Sequence, residues 1–205
     1  MTGRGFFVAF EGGEGVGKST QIARAATWLR SLGHQVVETR EPGGTPLGQQ
    51  LRALVLDPDG QVSPRAEALL YAADRAQHVE TVIRPALASG AVVLTDRYVD
   101  STLAYQGAGR GLDDADVLTA WATGGLTPDL TVLLDLDPRI GLARAGARAA
   151  PDRLESASLS FHDAVRAAFR TLAEAAPERY VVLDATQSVD AVAEQVRAAL
   201  AARLG

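Results

Sequence analysis

Short apolar runs alternate with longer amphipathic stretches along nearly the whole chain. Five runs have the length and composition of strands: 6–10 (Phe6-Phe7-Val8-Ala9-Phe10), 35–39, 91–95, 130–136 and 179–183. Within them, 91–94 and 132–134 are continuously apolar rather than alternating, which predicts strands covered on both faces. Between the runs the spacing predicts helices near 18–32, 47–56, 65–89, 112–123, 138–147, 159–175 and 188–203. In the first of these Ile22, Ala25, Ala26, Leu29 and Leu32 recur at helical spacing, and Gly33 supplies the stop. Pro85 lacks a backbone donor and predicts a bend in the long 65–89 helix. This alternation predicts an α/β fold, a five-stranded parallel sheet with helices on both faces.

One stretch breaks the periodicity. Segment 144–156 is polar, small and proline-bearing, with Arg144, Arg148 and Arg153 bunched beside an otherwise uncharged run. It suits a mobile lid over a phosphate site, and an ordinary surface loop is the plainer alternative. The 205 residues fit a single domain, 1–205, and 47% hydrophobic residues can fill its core. A net charge of -5 argues against a generic nucleic-acid partner. Without cysteine there is neither a disulfide framework nor a thiolate metal site. The first apolar run ends at Glu11, too short for a signal peptide or a membrane span, so a cytoplasmic location with no membrane partner is expected.

The chain has nineteen arginines and one lysine, Lys18. That lysine lies in Gly12-Gly13-Glu14-Gly15-Val16-Gly17-Lys18-Ser19, which fits the P-loop pattern G-x-x-x-x-G-K-[ST], with Thr20 following. A flexible ammonium slips between phosphate oxygens where a planar guanidinium does not. The glycines let successive backbone N–H groups face one anion-binding concavity at a helix N-terminus. Strand before and helix after are the context the motif demands. A merely structural glycine turn is the alternative. The expected ligand is a nucleoside triphosphate.

Three further segments carry polar groups near strand ends or on the long helix: 39–45 (Thr39-Arg40-Glu41-Pro42-Gly43-Gly44-Thr45), 69–75 and 96–106. Ligands of parallel sheets bind beyond the carboxyl ends of the strands. Tyr71 and Arg75 are four apart and share a helix face, offering a flat ring for stacking and a planar donor for a carbonyl. A core tyrosine beside a surface salt bridge would also give this spacing. Arg40 and Arg97 each follow a strand, and two guanidinium groups converging on a dianion are what a monophosphate needs. Asp96 ends an apolar strand, where a carboxylate holds magnesium through water or simply caps the next element.

Taken together, the P-loop, REPGGT at 40–45, DRY-x-x-S at 96–101 and DRLE at 152–155 resemble the thymidylate kinase family, in the family's order. The likeness runs from the P-loop through the lid and continues beyond residue 160 more by pattern than by motif. It implies a P-loop nucleoside monophosphate kinase fold and transfer of a phosphoryl group from ATP to dTMP with magnesium. The products would be ADP and dTDP, supplying dTTP for DNA synthesis. The resemblance assigns thymine to Tyr71 and Arg75, and the acceptor phosphate to Arg97 and Arg40. Ser101, Thr102 and Gln106 fall at the acceptor nucleotide, the last two at the base edge. Tyr105 lies under the sugar and leaves no room for a 2′-hydroxyl. Glu14 faces the acceptor's sugar and phosphate end. Ser19 and Asp96 are the implied magnesium ligands, and Arg144 lies against adenine. A homodimer built on the 65–89 helix is implied as well.

Thymidylate kinases of one type carry an arginine directly after the acidic P-loop residue. Here that position is Gly15, so the chain resembles the lid-arginine type usual in bacteria, with Arg148 and Arg153 at the lid positions. Lys18, Arg97, Arg148 and Arg153 are then the expected catalytic set. Another nucleoside monophosphate kinase is the nearest rival. A nucleotide-dependent switch or a silent binding subunit is the rival of another class. A guanine-specific N-K-x-D motif is impossible here, because Lys18 is the only lysine.

Overall fold

Strand β1 (Phe6–Glu11) is flanked on one side by β3 (Val92–Asp96) and β2 (Val36–Arg40), and on the other by β4 (Leu130–Asp135) and β5 (Tyr180–Asp184). All four pairings are parallel, in the order β2-β3-β1-β4-β5. The computed structural model describes residues 5–147 and 150–204. Around the sheet lie α1 (Lys18–Ser31), α2 (Pro46–Leu56), α3 (Pro64–His78), α4 (Arg84–Ala88), α5 (Val99–Thr102), α6 (Ala115–Thr123), α7 (Pro138–Gly146), α8 (Leu159–Ala175) and α9 (Val189–Leu204).

Successive strand residues point to opposite faces. Val8 and Phe10 pack with Ile22, Leu29, Val196 and Leu200 from α1 and α9. Phe7 and Ala9 pack with Val79, Ile83 and Tyr98 on the other face. Because both faces are covered, β1 reads as an unbroken apolar run. A third cluster sets Leu133 against Val165, Phe169, Tyr105 and Tyr180. Among the described residues no helix is long and apolar enough to cross a membrane.

Most predicted elements form within one to three residues of the expected bounds. Two differences matter for the site. The expected 65–89 helix is interrupted: α3 ends at His78, and a π-helical turn (Val79–Ile83) leads into α4. Arg84 donates to Val79 five residues back, and Pro85 immediately after has no N–H to restore the regular ladder. The second difference is a helix missing from the prediction. α5 and a π-helical turn (Leu103–Gly109) follow β3, because Glu11 caps their start. The buried Glu11 carboxylate accepts from Tyr98 N at 2.7 Å, Ser101 N at 3.3 Å and Ser101 Oγ at 2.6 Å.

Candidate active site

The register of β1 and β3 pairs Phe10 with Asp96, so the P-loop and the segment after β3 leave the sheet side by side. Gly12, Gly15 and Gly17 all have positive φ, at 131°, 64° and 98°, which lets the loop curl before α1. A Cβ on Gly15 would also lie 2.0 Å from the Gly141 carbonyl of α7. Position 15 therefore has no space for a side chain.

Lys18 donates to the Gly12 and Gly13 carbonyls at 3.2 and 2.9 Å, with Asp96 Oδ1 4.0 Å from Nζ. Burial and the neighbouring Arg97 lower the Lys18 pKa, against the pull of Asp96 and Glu14. Ser19 Oγ donates to Asp96 Oδ2 at 2.8 Å. These two hard oxygen ligands beside a phosphate loop suit magnesium, which takes one or two protein oxygens and fills its sphere with water and phosphate. Among the described residues there is no larger cluster of His, Asp and Glu that competes for a metal.

Arg97 sits in the left-handed region at φ 73°, a conformation that costs a non-glycine residue on the order of 1 kcal/mol or more. It is held there by its N–H on the Phe10 carbonyl (2.9 Å) and by Thr95 Oγ1 donating to its own carbonyl (2.9 Å). Its guanidinium donates to Gly12 O at 3.0 Å, Ser101 Oγ at 3.1 Å, Glu14 Oε1 at 2.6 Å and Tyr105 Oη at 3.1 Å. Tyr105 Oη donates in turn to Glu14 at 2.8 Å, and Arg97 stacks 4.9 Å from the Tyr105 ring centre. Burial would raise the Glu14 carboxyl, but Arg97 and Lys18 outweigh it and hold it down at about 2. Burial pushes the Tyr105 hydroxyl up, so it stays a donor.

Arg75, 1% exposed, donates to Glu41 Oε2 at 2.6 Å, Thr102 Oγ1 at 2.8 Å and the Tyr98 carbonyl at 2.9 Å. Thr102 is thus committed to Arg75. Glu41 is also braced by His78 Nδ1 at 2.8 Å. The guanidinium carries five N–H groups, so some remain for a ligand.

Two cavities meet at these residues. The first, about 520 Å³ with its mouth, is lined by Tyr71, Arg75, Ser101, Thr102, Tyr105 and Gln106, with Asp152 and Leu154 from segment 144–156. The second, about 840 Å³, is lined by Gly15, Val16, Gly17, Lys18, Ser19, Thr20, Arg40, Asp96 and Glu155. Glu14, Glu41, Arg52 and Arg97 line both. Tyr71, Arg75, Tyr105 and Gln106 thus come together as the sequence predicts, and so do Lys18, Ser19 and Asp96. Of these two cavities, Arg40 lines the second.

The arginines of segment 144–156 fall differently. Arg148 lies outside the described residues. Arg153 lines neither cavity: it donates to the Val55 carbonyl from Nε and Nη2 (2.9 and 2.8 Å) and to Glu67 Oε2 at 2.5 Å. Arg144 donates to the Ala185 carbonyl after β5 at 3.1 Å and also lines neither. Sequence reasoning missed Arg52, whose Nη1 donates to the Pro42 carbonyl at 3.1 Å while its side chain reaches both cavities. Its only sequence signal is a place on α2 just after the REPGGT segment.

A parallel sheet, a P-loop at its central strand and a second cavity sharing a charged wall with the first define a P-loop nucleotide kinase. A family model described as Thymidylate kinase matches residues 10–196. A thymidylate kinase of Clavibacter sepedonicus is 58% identical over 197 residues, covering 95% of this chain and 93% of the relative. One from Deinococcus radiodurans is 56% identical over 202 residues, covering 98% of each. One from Gloeobacter violaceus is 54% identical over 198 residues, covering 95% and 93%. The chain belongs to the thymidylate kinase family.

Proposed function

We propose that the protein transfers the γ-phosphoryl group of ATP to the phosphate of dTMP, giving dTDP and ADP. The observation that carries this reading is the wall of Glu14, Glu41, Arg52 and Arg97 shared by the two cavities. A donor phosphate chain on the P-loop and an acceptor monophosphate in the smaller cavity would face each other across it. The cluster of Tyr71, Arg75 and Gln106 suits a pyrimidine, with Arg75 donating to a ring carbonyl.

Phosphoryl transfer asks a protein chiefly for positioning and charge neutralisation. Lys18 leaves its loop carbonyls for the donor phosphates. Arg97 and Arg52 hold the acceptor phosphate in line, and Arg40 approaches it from the donor side of the shared wall. Glu14 keeps Arg97 and Tyr105 aligned, and Tyr105 closes the space a 2′-hydroxyl would need. Ser19 and Asp96 would hold magnesium, which would supply charge neutralisation for the donor phosphates. Arg153 anchors the lid through Glu67, which leaves Arg148 as the lid arginine for the transferring group. Arg144, on the Ala185 carbonyl, is assigned to the nucleoside end of ATP. The enzyme works in the cytoplasm as a homodimer. Leu69 on α3 and Val117 and Trp121 on the adjoining α6 are large apolar side chains left exposed, and they support an interface there.

The test is a coupled ADP-release assay with ATP, magnesium and a panel of nucleoside monophosphates. dTMP should be the best acceptor, dUMP weaker and purine nucleotides poor. Equal or better activity on a purine nucleotide would sink the assignment.

A further inference from the structure

Glu67 on α3 is a carboxylate with no solvent exposure whose neighbours are all donors. Its Oε1 accepts from Gln106 Nε2 at 2.8 Å and Arg110 Nε at 3.4 Å. Its Oε2 accepts from Arg153 Nη2 at 2.5 Å and Arg110 Nη2 at 3.4 Å. A carboxylate between two guanidinium groups offers lone pairs and no proton. The Gln106 amide must therefore turn its NH₂ toward Glu67, and its carbonyl oxygen away from it. That oxygen has no protein partner among the described residues, while Gln106, 2% exposed, lines the smaller cavity beside Tyr71 and Arg75. The oxygen is not sealed from solvent, so a donor entering the cavity can reach it.

We propose that Glu67 is a specificity-positioning residue. It locks the Gln106 amide with its carbonyl toward the ligand, so that the cavity favours a pyrimidine with an N–H at ring position 3 over one with a bare nitrogen there. The inference rests on reading this cavity as the nucleobase site. Thymine and uracil donate at N3, whereas cytosine accepts, and a site built around a hydrogen bond rejects the analogue that leaves it unmet. Glu67 touches no substrate atom and acts through Gln106. Because Arg153 occupies its second oxygen, the DRLE segment of the lid and the base-reading amide hang on one carboxylate.

The test compares dTMP and dCMP as acceptors. In Glu67→Gln only one acceptor oxygen remains, and the two arginines claim it. The new NH₂ then faces Gln106, whose amide turns over and presents a donor to the base. The ratio of kcat/KM for dTMP over dCMP should fall by about tenfold or more, with KM for dTMP rising. Glu67→Asp, still a pure acceptor, should retain the dTMP preference even where dTMP binds more weakly. It carries the comparison if Glu67→Gln fails to fold. A Glu67→Gln ratio within about twofold of the unmodified protein's overturns the proposal. So does loss of the preference in Glu67→Asp. Absence of any dTMP preference in the unmodified protein would overturn the nucleobase reading itself, so the two failures are distinct.

Discussion

Glu11 and Glu14, three residues apart, titrate in opposite directions. Burial, with Asp100 nearby, raises the Glu11 carboxyl from its ordinary value near 4.5 to about 7, against the pull of Arg97. Glu14 is held at about 2 by Arg97 and Lys18 despite its burial. An un-ionised Glu11 is the easier form to bury, so its contribution to stability is whole below 4.5 and lost as pH rises through about 7. The Glu14 contribution is present above 4.5 and fades as pH falls through about 2. In thermal melts across pH, Glu11→Gln should gain on the unmodified protein progressively between those two Glu11 values. Glu14→Gln should be the less stable protein near neutral pH and converge on it in acid. Stability differences that do not change with pH would mean that these carboxyls are solvated and unshifted. Lys18→Ala should lower kcat on the order of 10³-fold, the loss expected when a charge-stabilising donor is removed, with an unchanged circular dichroism spectrum. Near-normal kcat would take the P-loop out of the mechanism.

Helix α7 rests directly on the P-loop because two glycines face each other. A Cβ on Gly141 would lie 2.2 Å from the Glu14 carbonyl. Alanine in place of a helical glycine ordinarily stabilises by about 1 kcal/mol. Gly141→Ala should do the reverse, lowering Tm by at least about 3 °C and raising KM for ATP, since α7 must lift from the loop. A stabilised variant would show that the contact is slack. The strands on either side were legible because a doubly covered strand leaves a continuous apolar signature. The π-helical turns were not, since side-chain spacing barely distinguishes five-residue from four-residue bonding. The helix after β3 was hidden by Gly107, Gly109 and its polar residues, and its start depends on Glu11, some 90 residues away.

Residues inside contiguous motifs could be picked out from the chain, and the fold makes neighbours of them: Lys18 with Asp96, Arg97 with Tyr105, and Tyr71 with Arg75 share cavity walls. Those whose role depends on distant partners could not. The chain assigns Arg153 to segment 144–156, and only the fold shows its partner, Glu67, 86 residues earlier. Arg52 is one of nineteen arginines, and only the packed molecule brings it to both cavities. At the scale of the assembly, Val117 and Trp121 are four apart on α6, 67% and 80% exposed. Apolar surface of this kind marks an association site when it is contiguous. If α6 carries the proposed dimer interface, Trp121→Asp should shift the sedimentation coefficient from that of a dimer to that of a monomer. A sedimentation profile identical to that of the unmodified protein would exclude this face as the interface.

A chain with a single lysine has, apart from its α-amino group, a single amine for acylating reagents to find. That amine lies at the floor of the phosphate loop, and its lowered pKa enlarges the fraction of free base, the nucleophilic form. Labelling with an amine-directed ester and intact-mass counting therefore becomes an occupancy gauge for one site, with no assay of turnover needed. ATP with magnesium should shield the lysine adduct, whereas dTMP alone should shield it weakly. The same arithmetic makes this protein prone to inactivation by lysine-directed reagents at one residue, while its nineteen arginines pass untouched.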